Sequence, residues 1–83
     1  MTDAAIQAPT PDRDIDTRGL TCPLPILRAK KALADMTSGQ VLRVVSTDRN
    51  STADFQAFCR QTGNPLLLQH DDGQEFVHYL KRR

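Results

Sequence analysis

Apolar residues recur along this chain in two rhythms, and the order of the rhythms predicts its architecture. From about Pro23 to Met36, Ile26, Ala29, Leu33 and Met36 fall at helical spacing, while Arg28, Lys31 and Asp35 take another face. That is an amphipathic helix. Phe55, Phe58, Cys59 and Thr62 repeat the spacing at i, i+3, i+4 and i+7, which predicts a second helix. It should open at Ser51, with Asp54 three residues later as a capping box, and close at Gly63 and Pro65.

The rest reads as strands. Asp14 to Thr17, with Ile15 as its apolar residue, is a short strand ahead of an Arg18-Gly19 turn. After the stop signal Gly39, Val41-Leu42-Arg43-Val44-Val45 is β-rich and mostly buried, ending near Thr47. Leu66-Leu67-Leu68 and Phe76-Val77-His78-Tyr79-Leu80 flank Asp71-Asp72-Gly73, where Asp72-Gly73 suits a tight turn, so the chain should end in a β-hairpin. The order is β-α-β-α-β-β. With the usual crossover it folds as an α/β (α+β) two-layer sandwich, a mixed four-stranded sheet with two helices on one face.

Residues 1–12 carry Pro9, Pro11, alanines and polar residues without periodicity, so a disordered N-terminal tail is expected there and a single domain over 13–83. A chain of 83 residues has room for one core. A domain of that size buries only about 60% of the surface its unfolded chain exposes, so its substrate should be small or held at the surface.

Charge narrows the function. A net charge of +1 gives no general attraction for nucleic acid, and Tyr79 with three phenylalanines offers few rings for stacking bases. The first twelve residues lack a basic n-region and an apolar h-region, and no apolar run is long enough to span a membrane, so a cytoplasmic protein without membrane contact is expected. In that reducing compartment Cys22 and Cys59 read as thiols. Neither His70 nor His78 lies at the close spacing from another ligand that tetrahedral zinc sites show, so no metal is expected. Lys81-Arg82-Arg83 reads as a solubilising end.

The concentrated chemistry lies in Arg18-Gly19-Leu20-Thr21-Cys22-Pro23-Leu24-Pro25. Pro23 and Pro25 would break a helix interior but are tolerated in a first turn, so Cys22 stands at a helix start, with either Cys22 or Leu24 as the cap. A helix start favours an anion, yet only by about 0.3–1 kcal/mol, less than one pKa unit at about 1.36 kcal/mol. Arg18 would add to that effect if its side chain folded toward the sulfur. Cys59, on the apolar face of the second helix, reads as core. Arg28, Lys30 and Lys31 are either a docking patch near Cys22 or a solvated helix face. Asp48, before the second helix, either orients a partner at the sheet's carboxyl edge or caps a turn.

Asp16-Thr17-Arg18-Gly19-Leu20-Thr21-Cys22-Pro23-Leu24-Pro25, Ala29-Lys30-Lys31-Ala32-Leu33, Gly39, Asp48 and Phe58-Cys59-Arg60-Gln61-Thr62-Gly63 together resemble the TusA/SirA sulfur-carrier family, from about Asp14 to Arg83. The resemblance implies a sulfurtransferase that acts as a stoichiometric persulfide relay. Cys22 would accept sulfane sulfur from a cysteine desulfurase or rhodanese-like donor and pass it to an acceptor protein. Arg18, Gly19, Pro23 and Pro25 would support it. No cofactor is implied beyond pyridoxal phosphate in a donor, and the uses in such a family are tRNA thiolation, molybdenum-cofactor supply and sulfur oxidation. A monomer that does not bind nucleic acid directly is expected. Asn64-Pro65 departs from the family pattern and should alter only a loop. The competing class is a small nucleic-acid-binding or regulatory module without thiol chemistry, which salt-dependent RNA binding indifferent to Cys22→Ala would favour.

Overall fold

In the computed structural model, which describes residues 8–83, the predicted order holds element for element: β1 (Arg13–Thr17), α1 (Leu24–Ala34), β2 (Val41–Ser46), α2 (Ser51–Thr62), β3 (Leu66–Asp71) and β4 (Phe76–Lys81). The strands form one sheet in the order β1-β2-β4-β3. β1 runs parallel to β2, with Ile15 opposite Val44, and the other pairings are antiparallel. Both helices pack on the same face of this mixed sheet, α1 over β1 and β2, α2 over β4 and β3. No helix among the described residues is long and apolar enough to cross a membrane.

The helical stripes fill the space between the layers. Ala29, Leu33 and Met36 from α1 and its C-terminal end meet Phe55, Phe58 and Cys59 from α2 over Leu42, Val44 and Leu80 of the central strands. Alternation along β2 puts Val45 on the other face, where it is buried as well beside the partly exposed Arg43. Cys59 belongs to this core, and burial pushes its thiol pKa up to about 11.

Several boundaries differ from expectation. Neither Cys22 nor Leu24 caps α1: Pro23 is the cap, and Leu24 is already helical although it precedes Pro25. The steric bias against a helical residue before proline is overridden here by the packing of Pro25, which is buried. At α2 the expected capping box does not form. Asn50 holds the cap position without a side-chain bond, and Ser51 instead turns its hydroxyl inward, 3.0 Å from Nε2 of the fully buried His78. A buried imidazole needs partners more than a helix end that water can reach.

His78 is held on three sides. Gln69 Nε2 lies 3.1 Å from its Nδ1, and the ring stacks on Phe55 with centroids 4.6 Å apart. Gln69 donates, so Nδ1 accepts and Nε2 carries the proton toward Ser51. Desolvation pushes the His78 pKa down to about 4, which keeps the ring neutral.

The chain ends close to where α2 stops. Gly63 adopts the left-handed conformation (φ 82°) and its N–H bonds Cys59 O at 2.9 Å, a C-cap that a side chain would strain. Asn64-Pro65, the departure from the family pattern, is a joint rather than a loose loop. Asn64 Oδ1 accepts the Arg83 N–H at 3.0 Å and Pro65 O accepts the Lys81 N–H at 2.9 Å. Of the expected tail, residues 1–7 lie outside the described residues. Asp12, at its end, is joined to β2 by two 2.8 Å bonds, Asp12 N–H to Val41 O and Val41 N–H to Asp12 Oδ2.

Candidate functional site

Parallel β1 and β2 both end at one edge of the sheet, and antiparallel β4 begins there, so three connections converge at that edge. The first, Arg18 to Pro23, carries Cys22; the second, Thr47 to Asn50, leads into α2; the third is the hairpin turn Asp72 to Glu75. Ligands of open α/β sheets gather at this carboxyl edge.

The Cys22 loop is pinned to both neighbours. Gly19, at φ 81°, turns its N–H onto Thr47 Oγ1 at 2.9 Å. Cys22 N–H donates to Asp48 Oδ2 at 2.8 Å. Arg18 reaches the hairpin, with Nε 2.8 Å from Glu75 Oε2 and Nη2 3.2 Å from Oε1, and its Nη1 sits 3.1 Å from Asp16 Oδ2. Within the loop Leu20 N–H bonds Thr17 O and Leu24 N–H bonds Thr21 O. The Cys22–Pro23 peptide is cis. Cys22 itself is exposed.

The charges around that thiol differ from the expectation. With Pro23 as the cap, the N–H groups of the helix start belong to Leu24, Pro25 and Ile26, and Pro25 has none. Leu24 N–H is taken by Thr21 O and the Cys22 N–H by Asp48, which leaves Ile26 N–H at the helix end. Acidic groups then act on the sulfur from the start of α2. The Asp54 carboxylate, which favours the protonated thiol, is the largest cause holding the Cys22 pKa above its ordinary value; desolvation and the charge of Asp48 add to it. Arg18 does not offset them, because its guanidinium is committed to Glu75 and Asp16. It acts as a strut for the loop.

The three basic residues expected to form a docking patch do not share one surface. Arg28 and Lys31, one turn apart, border a groove with Arg13 and Ile15 on the β1 side, whereas Lys30 faces Phe58, Gln61 and Arg82 on the α2 side. What lies nearest Cys22 along α1 is apolar: Leu24 and Leu27 are 45% and 52% exposed. The helical spacing does not single out these two leucines, because they lie off the buried stripe it predicts. Position at the sheet's carboxyl edge, the signal that points to Asp48 in the sequence, also reaches Thr47 beside it and Asp54 in the first turn of α2. Among the described residues no three His, Cys, Asp or Glu side chains gather as metal ligands.

Comparison with known proteins covers nearly all of this structure. The family model described as Sulfurtransferase TusA matches residues 13–82. The sulfur carrier protein TusA of Allochromatium vinosum is 53% identical over 71 residues, which span 86% of this chain and 93% of that protein. A putative sulfur carrier protein of Neisseria meningitidis is 64% identical over 53 residues, 64% of this chain and 72% of that one. Among solved structures, a SirA-like protein from Desulfitobacterium hafniense superposes with a TM-score of 0.67 at 33% identity, covering 82% of this chain and 95% of that one.

Proposed function

The chain belongs to the TusA family of sulfur carriers, and from that premise we propose that Cys22 is the residue on which sulfur travels, as a persulfide. The observation that carries the reading is an exposed thiol on a loop fixed at Gly19 and Cys22 to one neighbouring connection and at Arg18 to another. A relay needs a sulfur that two different proteins can reach in turn, and a short rigid loop presents it without the cost of ordering on each encounter.

The step is thiol–persulfide exchange. The Cys22 thiolate attacks the outer sulfur of a donor persulfide, a new Sγ–S bond forms, the donor's S–S bond breaks, and the proton released from Cys22 ends on the departing donor thiol. A second exchange in the same sense moves the outer sulfur to an acceptor cysteine and returns Cys22 to the thiol. No bound cofactor takes part in either step. The donor is a pyridoxal-phosphate cysteine desulfurase or a rhodanese-like protein, the acceptor a protein of tRNA thiolation, molybdenum-cofactor supply or sulfur oxidation, and the relay operates as a monomer in the cytoplasm.

Docking falls to the surface around the loop. Leu24 and Leu27 supply exposed apolar area, with Arg28 and Lys31 bordering one side of α1 and Lys30 the other. A nucleic-acid surface has less support, since Arg13, Arg18 and Arg43 each stand against a carboxylate. Mass spectrometry after incubation with desulfurase, pyridoxal phosphate and cysteine tests the reading. A gain of one sulfur at Cys22 is expected; no gain, or equal loading of Cys22→Ser, would sink it.

A further inference from the structure

Every polar group of Asp48 is engaged. Its N–H donates to Ser46 Oγ at 3.0 Å, its carbonyl accepts the Ser51 N–H at 3.0 Å, and Oδ1 accepts the Asn50 N–H at 3.1 Å. Those three bonds are local, and they fix the residue between the end of β2 and the first turn of α2. The fourth is of another kind: Oδ2 takes the backbone N–H of Cys22 at 2.8 Å, across 26 residues of sequence. The carboxylate is therefore held first, and the cysteine is held by it.

We propose that Asp48 is a positioning residue of the sulfur relay, tying the peptide of Cys22 to the start of α2 so that the sulfur stands where each partner must meet it. The inference rests on the reading of Cys22 as the sulfur-bearing residue. Electrostatics separates it from a simpler account. If the edge were arranged to activate the thiol, a carboxylate would be the wrong group beside it, because its charge opposes formation of the thiolate. Its hydrogen bond explains its place: a charged acceptor makes a shorter and stronger bond to a peptide N–H than a neutral one, and the N–H lies on an exposed loop that water would otherwise solvate and leave mobile. Exchange between sulfurs tolerates little misplacement, so fixing the backbone of the attacking residue acts on the rate.

The test compares Asp48→Ala, which removes both acceptor oxygens, with Asp48→Asn, which keeps one acceptor oxygen for the N–H groups of Asn50 and Cys22 to share and loses the charge. Two readouts are needed: hydrogen exchange of the Cys22 amide by NMR, and the rate of sulfur loading from a cysteine desulfurase with cysteine at saturating donor. Asp48→Ala should speed exchange at Cys22 and slow loading, each by about tenfold or more, while the amides of α2 stay protected; Asp48→Asn should show losses no greater than these. Wild-type exchange and loading in Asp48→Ala would overturn the proposal. So would slower loading in Asp48→Ala with wild-type exchange at the Cys22 amide, because the charge and not the position would then matter. Should Asp48→Ala fail to fold, Asp48→Glu keeps the charge but displaces the oxygen by one methylene and is expected to show the same losses; wild-type behaviour there overturns the proposal. If the wild-type chain takes up no sulfur, the carrier reading fails, and amide exchange alone decides what Asp48 does.

Discussion

Arg18 grips Glu75 through two hydrogen bonds, at 2.8 and 3.2 Å, and so ties the loop that ends at Cys22 to the turn between β3 and β4. The two side chains are 47% and 39% exposed, and solvent screening leaves such a pair little weight in global stability. Glu75→Ala should therefore leave the urea midpoint close to wild type, while amides from Arg18 to Cys22 exchange faster. A large fall in the midpoint would mean that the pair supports the fold and not the loop.

The unloaded thiol should be a slow nucleophile. With Asp54 and Asp48 holding the Cys22 pKa above its ordinary value, the rate of alkylation by iodoacetamide should still be rising above pH 9, and Asp54→Asn should shift the profile to lower pH. A wild-type profile that levels off below pH 8 would contradict this arrangement of carboxylates.

Acid should destabilise the fold through His78 before its carboxylates titrate. The folded pKa, about 4, lies below the value near 6.5 of an unfolded histidine, so on acidification the unfolded chain takes up the proton first. The stability owed to the neutral buried ring is fully present above about pH 6.5 and is lost as pH falls through the window toward 4, by at most about 3 kcal/mol. Asp16 and Asp72, whose pKa values are lowered by hydrogen bonds from backbone N–H groups, act only below the ordinary carboxylate range. Urea midpoints at pH 7.5, 6 and 5 should fall steadily for the wild type and stay level for a folded His78→Gln variant. A flat wild-type series would rule the account out.

Cys59 should be silent in the chemistry. Its buried thiol, with a pKa of about 11, is expected to react with iodoacetamide far more slowly than Cys22 at pH 8. Cys59→Ala should cost roughly 1–2 kcal/mol of stability through lost packing and leave sulfur loading of Cys22 unchanged, as measured by mass spectrometry. Loading that fell in a folded Cys59→Ala variant would give this cysteine a part in the relay.

The sequence by itself determined the elements and their order, and it singled out Cys22 as the candidate on which the site is built. Helical spacing placed Ala29, Leu33, Phe55 and Phe58 on inner faces, and those residues fill the core. Two prolines after Cys22 marked a helix start because proline is tolerated there and hardly elsewhere. Both inferences rest on local constraints, periodicity and backbone geometry, which a chain carries wherever it goes. What surrounds the sulfur was decided only by the tertiary structure. Asp48 and Asp54 lie 26 and 32 residues beyond Cys22, and they reach it because β1 and β2 run parallel and end at the same edge. Read locally, Cys22 sits at the positive end of a helix; in the fold, its peptide N–H is taken and its neighbours are acids. Charges act through space, so the proton on Cys22 depends on which loops the sheet brings together.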